Sequence, residues 1–177
     1  GGAGGDPTGG AAGATARDCD FLAPFEEPTL VSDLNVNTTG REGKPTLTTD
    51  GLAMLFASNR GGNYGIYIAT RTSLDDRFGD PKAIAALAPD ETLAVRDPMM
   101  SDDRLTIFYG LGSGYFDIYA SQWSAATASW AEPQSVGPAI NKEPLSSASP
   151  FLTADGGRLY FVADSLSGRS TDNDVFY

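Results

Sequence analysis

The chain repeats one phrase three times at intervals of about 52 residues, and this period limits the possible folds more than any other feature. Each copy opens with a proline, carries an aspartate five positions later, and then runs into an apolar and aromatic triplet. The prolines are Pro45, Pro98 and Pro150, the aspartates are Asp50, Asp103 and Asp155, and the triplets are 54–56, 107–109 and 159–161. A period of this length is typical of solenoids, propellers and arrays of similar units.

Each copy consists of short β-prone runs separated by turn residues. In the first copy the runs are 45–48, 52–58, 64–71 and a weaker 81–87, and the first break contains Asp50-Gly51. Asp-Gly favours the positive φ of a tight hairpin turn. The second run is almost continuously apolar, which predicts that neighbouring sheets cover both of its faces. No window has an apolar stripe at helical spacing over three turns.

These features predict an all-β chain of the β-propeller class. Four short strands per copy, each sheet packed between its neighbours, describe a propeller blade. A β-sandwich with regular turn signals is the alternative, but it does not predict the same phrase three times. We therefore expect about three four-stranded blades in an incomplete ring.

The repeated phrase resembles the repeats of TolB-like β-propellers, which are described as WD40-like or PD40 repeats. The residues that carry the resemblance are Pro45 to Gly51, the run Ser58-Asn59-Arg60-Gly61-Gly62, and Gly65-Ile66-Tyr67. The second copy departs from the pattern, with Asp102-Asp103 in place of Asp-Gly. The resemblance covers residues 25–177 and implies a six- or seven-bladed ring. It does not imply one activity, because propellers host many functions.

The domain organisation follows from composition and from the repeat. Residues 1–20 are rich in Gly and Ala and too poor in apolar residues to fold, so we expect a tether. Residues 21–177 are the expected propeller fragment, with the last strand of a preceding blade in 25–35 and blades at about 36–88, 89–141 and 142–177. The leader resembles the tether of bacterial surface lipoproteins, whose lipidated cysteine would precede Gly1. The lone Cys19 lacks an apolar lipobox before it and is interpreted as an incidental thiol, with a disulfide to a cysteine outside this sequence as the alternative.

Composition argues against several classes of function. A formal net charge of −11 with no basic cluster argues against nucleic acid, which binds clustered Lys and Arg. The absence of histidine removes His-based triads and metal sites. No phosphate-binding loop and no apolar run of membrane-spanning length is present. We expect no cofactor, no metal and no nucleic-acid partner.

Carboxylates are the only abundant catalytic material, so a glycosidase-like propeller enzyme is the competing hypothesis. The repeated Asp50, Asp103 and Asp155 recur once per unit at a turn, which indicates a structural hairpin residue. The stretch from Thr153 to Tyr160 partly resembles the Asp-box of sialidases, itself a structural turn. A structural spacer of a larger surface protein is the third alternative.

The hypothesis that these features favour is a non-enzymatic module of the periplasm or cell surface that binds a protein or peptide partner, with a glycan as another possible ligand. In a four-stranded meander, the loops between second and third strands share one end of the sheets with the blade connections. These loops vary between copies, and variable loops on a rigid scaffold are the usual place for binding. Arginine and tyrosine lead as interface anchors. The candidate contact residues at this end are Arg60, Tyr64, Arg96, Tyr115 and Arg169.

Overall fold

A computed structural model describes residues 27–35, 40–88, 90, 92–164 and 173–177 of the chain. The chain divides into two units, Gly1–Leu30 and Val31–Tyr177, and the fold described below is that of the second. The expected tether at 1–20, Cys19 and Arg169 lie outside the described residues.

The second unit is all-β, with three antiparallel sheets, as the sequence predicts. Sheet 1 contains β1 (Glu42–Leu47), β2 (Ala53–Gly61), β3 (Asn63–Thr70) and β4 (Lys82–Ala83). Sheet 2 contains β5 (Ala94–Met100), β6 (Thr106–Ser113), β7 (Tyr115–Ser124), β8 (Ser129–Trp130) and β9 (Gln134–Ser135). Sheet 3 contains β10 (Ser147–Leu152), β11 (Leu159–Asp164) and β12 (Asn173–Phe176). The described residues contain no α-helix, only the 3-10 turn Ala85–Leu87.

The strands of each sheet follow one another as a meander with the same register. The three second strands, β2, β6 and β11, begin their pairing with the first strands at equivalent positions: Leu47–Met54, Met100–Ile107 and Leu152–Leu159. Two residues further on, each second strand places a buried aromatic residue opposite another on the third strand. These cross-strand pairs are Phe56–Tyr67, Tyr109–Tyr119 and Phe161–Phe176. The sequence repeat is therefore also a structural repeat.

A bulge interrupts each first strand at its proline. The residue before the proline has a positive φ, 55° at Lys44, 52° at Asp97 and 52° at Ser149. At each bulge, two residues of the first strand lie opposite the one buried aromatic residue of the second strand. Proline is tolerated at a bulge because the pairing is already broken there. The bulge explains why the prolines recur in one column.

The sheets stack face to face in chain order. Strand β5 contacts β1, β2 and β3 of sheet 1, and β10 contacts β5, β6 and β7 of sheet 2. The largest buried cluster joins sheets 1 and 2 and contains Leu55, Ile66, Ile84, Leu87, Val95, Met100, Ile107, Tyr109 and Leu111. A second cluster, Ile118, Phe161 and Ala163, joins sheets 2 and 3. The continuous apolarity of the second strands thus corresponds to coverage on both faces.

The strand expected within residues 25–35 is not found in the described part of that range, residues 27–35. The segment ends in a turn in which the Leu34 amide donates to the Val31 carbonyl at 3.1 Å. The Asn35 side chain donates to the same carbonyl at 2.7 Å. Side chains such as Asn favour turns because they bond to nearby backbone groups and so compete with strand pairing.

The three repeated aspartates hold the turns between first and second strands. In each turn one carboxylate oxygen accepts from the Ser or Thr hydroxyl two residues earlier and from the backbone amide two residues later. The amide distances are 3.0 Å from Leu52 to Asp50, 2.9 Å from Leu105 to Asp103, and 2.9 Å from Gly157 to Asp155. The hydroxyl donors are Thr48, Ser101 and Thr153. Each carboxylate thus accepts a hydrogen bond from a turn amide of its own hairpin, in the role that a backbone carbonyl would otherwise fill.

Asp50→Ala is expected to lower the free energy of unfolding by about 1 kcal/mol, because the Thr48 hydroxyl and the Leu52 amide lose their acceptor. Chemical denaturation measures the change, and Asp75→Ala, at an exposed loop carboxylate, is the control. A variant with unchanged stability but with a lost activity would instead favour the glycosidase hypothesis.

Candidate functional site

A groove of about 390 Å³ lies between sheets 1 and 2, at the end where the β2–β3 and β6–β7 hairpins turn. We call it the rim groove. Its apolar lining is Ala57, Ala94, Val95 and Phe116, and its polar lining includes Arg41, Glu42, Lys44, Tyr64 and Arg96. It therefore combines an apolar floor with a concentration of cationic side chains at the loop-bearing end.

Arg96 is the most strongly positioned cation of the rim groove. Its guanidinium carbon lies 4.0 Å from the centre of the Phe116 ring, within the range of a cation–π contact. Its Nε lies 3.4 Å from Asp97 Oδ2. Within the described residues, the terminal Nη groups have no hydrogen-bond partner, and the side chain is 40% exposed. The ring and the carboxylate orient the guanidinium while its outer donors remain available.

Arg96 also breaks the structural repeat. The equivalent position next to the bulge is Gly43 in sheet 1 and Ala148 in sheet 3. Gly110 lies opposite Arg96, and a Cβ at that position would lie 3.2 Å from Arg96 Cγ. The small residue leaves room for the arginine. A functional group is expected to differ between repeats, whereas a structural residue recurs.

Arg60, by contrast, is directed into the protein. Its side chain is 15% exposed and lies 5.0 Å from the centres of the Phe56 and Tyr67 rings. Its guanidinium donates to the Leu34 carbonyl, to Ser58 Oγ at 3.0 Å, and to Glu42 Oε1 at 3.3 Å. These internal contacts occupy the donors that a partner would need.

The two candidate tyrosines lie in different positions. Tyr64 lines the rim groove with Arg96 and is partly exposed. Tyr115 is highly exposed at the β6–β7 hairpin but does not line the groove. The groove instead contains Phe116, which sequence reasoning did not select. Aligning Ile66 with Ile118 would have identified it, since Phe116 and Tyr64 both precede these isoleucines by two residues.

The acidic residue of the rim groove is already engaged. Glu42 accepts from Ser58 Oγ at 3.0 Å and pairs with Arg60 at 3.3 Å. Arg41, Lys44 and Arg96 also line the groove, and within the described residues Lys44 and Arg96 each form an ion pair with Asp97 at 3.4 Å. In a chain of net charge −11, this end of sheets 1 and 2 is a local concentration of positive charge.

A second cavity, of about 280 Å³, lies where the three bulges approach one another, and we call it the central cleft. Asp97, whose side chain is 7% exposed, joins all three sheets there. Its Oδ2 accepts from Ser149 Oγ at 3.0 Å, and its Oδ1 lies 3.4 Å from Lys44 Nζ. Thr46 Oγ1 donates to the Pro98 carbonyl at 2.7 Å. The equivalent bulge positions thus carry different but complementary polar groups.

Asp117 neighbours Phe116 and has an unfavourable environment. Partial burial raises the pKa of its carboxyl, and the negative charge of Glu143 adds to the effect. A carboxyl whose pKa is higher in the folded chain destabilises the fold once it is ionised, so stability falls as the pH rises through that pKa. The opposite holds for Asp103, whose pKa is lowered by hydrogen bonds from the Ser101 hydroxyl and the Leu105 amide.

Asp117→Asn is therefore expected to raise the melting temperature at pH 7, and the gain should shrink as the pH falls through the raised pKa. Asp103→Asn should lower the melting temperature at pH 7, with the loss shrinking at lower pH as the wild-type carboxyl is protonated. Thermal denaturation as a function of pH tests both variants. A melting temperature that falls in both at pH 7 would contradict the assigned environment of Asp117.

The described residues contain no group of three or more Cys, Asp or Glu side chains arranged to hold a metal ion. No helix in the described part of the chain is long and apolar enough to cross a bilayer. A comparison of the sequence with protein-family models and with curated proteins finds no match.

Proposed function

We propose that this chain is part of a TolB-like β-propeller of the cell envelope and that it binds a protein or peptide partner in the rim groove. The observation that carries the proposal is the meeting of Tyr64 and Arg96 in one groove, although 32 residues separate them in sequence. Arg96 offers terminal donors that have no partner in the described part of the chain, next to an apolar surface. This combination is typical of an anchor at a protein interface.

The stacking of the sheets supports the propeller. Three meanders follow one another face to face, and the first strands of sheets 2 and 3 each contact three strands of the sheet before them. The first strands also approach one another at their bulges, as the strands nearest a propeller axis do. Propellers contain at least four blades, so three sheets would form part of a ring.

The rim groove favours binding over a purely structural role. A spacer needs no cavity with an oriented guanidinium whose terminal donors have no partner within the described residues, since half-buried polar groups normally have one. The glycosidase and spacer hypotheses make different experimental predictions. A screen for glycan hydrolysis identifies the enzyme, and the absence of any selected ligand identifies the spacer.

A random peptide library displayed on phage, selected on the full chain, is expected to enrich peptides that bind the rim groove. Replacing Tyr64 and Arg96 together with Ala should weaken the enriched peptides by more than about tenfold, or 1.4 kcal/mol, because both anchors are lost. Isothermal titration calorimetry measures the affinities. Arg60 is left intact because its internal contacts would confuse binding with folding.

The matched control is a second arginine–tyrosine pair, Arg158 and Tyr177, whose guanidinium carbon lies 5.3 Å from the ring centre on sheet 3. Replacing both with Ala should leave the affinity unchanged. Enrichment of no peptide above a scrambled library would overturn the proposal, as would equal binding by the Tyr64/Arg96 variant. Tyr115→Ala forms a separate arm, because this exposed tyrosine lies outside the groove.

A further inference from the structure

We infer that the rim groove recognises a carboxylate, supplied by an acidic side chain in an extended segment of a partner protein, and that Arg96 is the residue that binds it. The inference rests on the proposed function and deepens it by naming the chemistry of the partner. It follows from the position of one guanidinium, from the charges around it and from the apolar surface beside it.

The Arg96 guanidinium is arranged as a receptor for a planar anion. Phe116 covers one face at 4.0 Å from the ring centre, and Asp97 lies beside Nε at 3.4 Å. The two terminal nitrogens remain, and within the described residues nothing accepts from them. Two parallel N–H donors match the two oxygens of a carboxylate, which gives a bidentate pair stronger than an ordinary hydrogen bond.

A comparison with Arg71 shows what distinguishes this arrangement. Arg71 also stacks on an aromatic ring, at 4.6 Å from the centre of Phe78. However, its Nε donates to the Gly51 carbonyl and its Nη1 to the Leu74 carbonyl, both at 2.9 Å. Its donors satisfy the protein's own loops. Arg96 has the same stacking support without these internal acceptors.

The surrounding charges favour an anion over a neutral acceptor. Arg41 and Lys44 line the same groove, and Glu42 is neutralised by Arg60. Among the described carboxylates, Asp97 is the one that pairs with Lys44 and Arg96, so an incoming carboxylate still gains attraction from the cluster. Val95, Phe116 and Tyr64 also line the groove. This lining suits the aliphatic part of the acidic side chain, or an apolar residue next to it in an extended peptide.

The test compares two pentapeptide probes, Ac-Gly-Glu-Phe-Glu-Gly-NH2 and its amide isostere Ac-Gly-Gln-Phe-Gln-Gly-NH2, on the full chain at constant ionic strength. The side-chain Nε–H resonances of the arginines report the site. The acidic probe should shift the Arg96 resonance saturably and bind at least tenfold more tightly than the isostere. Arg96→Lys should reduce its affinity about tenfold, because an ammonium cannot pair with both oxygens in one plane. Arg71→Lys should leave it unchanged.

Equal binding of the two probes, an unchanged affinity in Arg96→Lys, or no shift at Arg96 with either probe would each overturn the inference. These results leave the proposed function standing if library peptides without acidic residues bind the wild type and lose binding in the Tyr64/Arg96 variant. A library that yields no ligand overturns the proposed function instead. The two failures are therefore distinguishable.

Discussion

Tyr109→Ala is expected to lower the free energy of unfolding by about 3 to 5 kcal/mol, the cost of truncating a buried aromatic side chain to Ala. Tyr109 is 0% exposed and is the largest fully buried side chain among the described residues. It lies on β6 in the cluster that joins sheets 1 and 2, opposite the Asp97–Pro98 bulge. Its removal leaves a cavity between two sheets that the surrounding strands cannot easily close.

Tyr109→Phe should behave in the opposite way and raise the free energy of unfolding by about 1 kcal/mol. The Tyr109 hydroxyl is buried and has no hydrogen-bond partner among the described residues, and burial raises its pKa. An unsatisfied buried hydroxyl destabilises the folded state, so its removal with the ring retained is favourable. The equivalent residues in sheets 1 and 3 are already Phe56 and Phe161.

Urea denaturation of the wild type and both variants measures these changes. Tyr115→Ala removes an aromatic ring of the same type from an exposed hairpin, and it should change stability by less than about 0.5 kcal/mol. A loss of more than about 1 kcal/mol in Tyr109→Phe would contradict the expectation, since it would mean that the hydroxyl has a partner in the folded chain.

The sheets and turns could be predicted from the sequence because their causes are local. The Asp-Gly dipeptides at Asp50 and Asp155 favour a turn, and the apolar runs that follow favour a buried strand. Both signals lie within a short stretch of sequence, and both recur with the period of the repeat. The columns headed by Pro45, Pro98 and Pro150 appear in the structure as equivalent strand positions. Local patterns of this kind determine element type well when the same pattern recurs.

The bulges could not be predicted in the same way. A residue that precedes proline is normally extended, yet Lys44, Asp97 and Ser149 all have a positive φ. The bulge is a feature of the pairing between the first strand and its partner on the second strand, and this pairing becomes known only with the register. A sequence rule for the dipeptide contains no information about that partner.

The candidate site was predictable in part, because exposure depends on tertiary contacts. From the sequence alone, Arg60 and Arg96 look equally suitable as contact residues, because both are arginines near loops. Both arginines have an aromatic ring and a carboxylate beside them, but Arg60 turns inward because Ser58 Oγ and the Leu34 carbonyl also accept from it. Within the described residues the terminal nitrogens of Arg96 have no such acceptor. Strand order alone predicts the loop-bearing end, whereas the choice between the two arginines depends on their tertiary contacts.

The expected consequence of Asp97→Ala is a loss of about 2 kcal/mol in the free energy of unfolding. The Ser149 hydroxyl loses a charged, buried acceptor at 3.0 Å, and hydrogen bonds to charged groups contribute about 1.5 to 3 kcal/mol. The variant also places Ala at a φ of 52°, which Asp and Asn tolerate better than Ala because their side chains bond locally. Both effects act at the point where sheets 2 and 3 meet.

Two further variants separate the hydrogen bond and the bulge from the ion pair. Asp97→Asn keeps an acceptor for Ser149 and a side chain suited to positive φ, so its loss should be clearly smaller. Lys44→Ala removes the partner in the ion pair, but the Lys44 side chain is 64% exposed and such pairs contribute little. It should change stability by less than about 0.5 kcal/mol. If Lys44→Ala were instead as costly as Asp97→Ala, the Lys44–Asp97 pair would be the contact that joins the sheets, and the central cleft would depend on charge and not on backbone geometry.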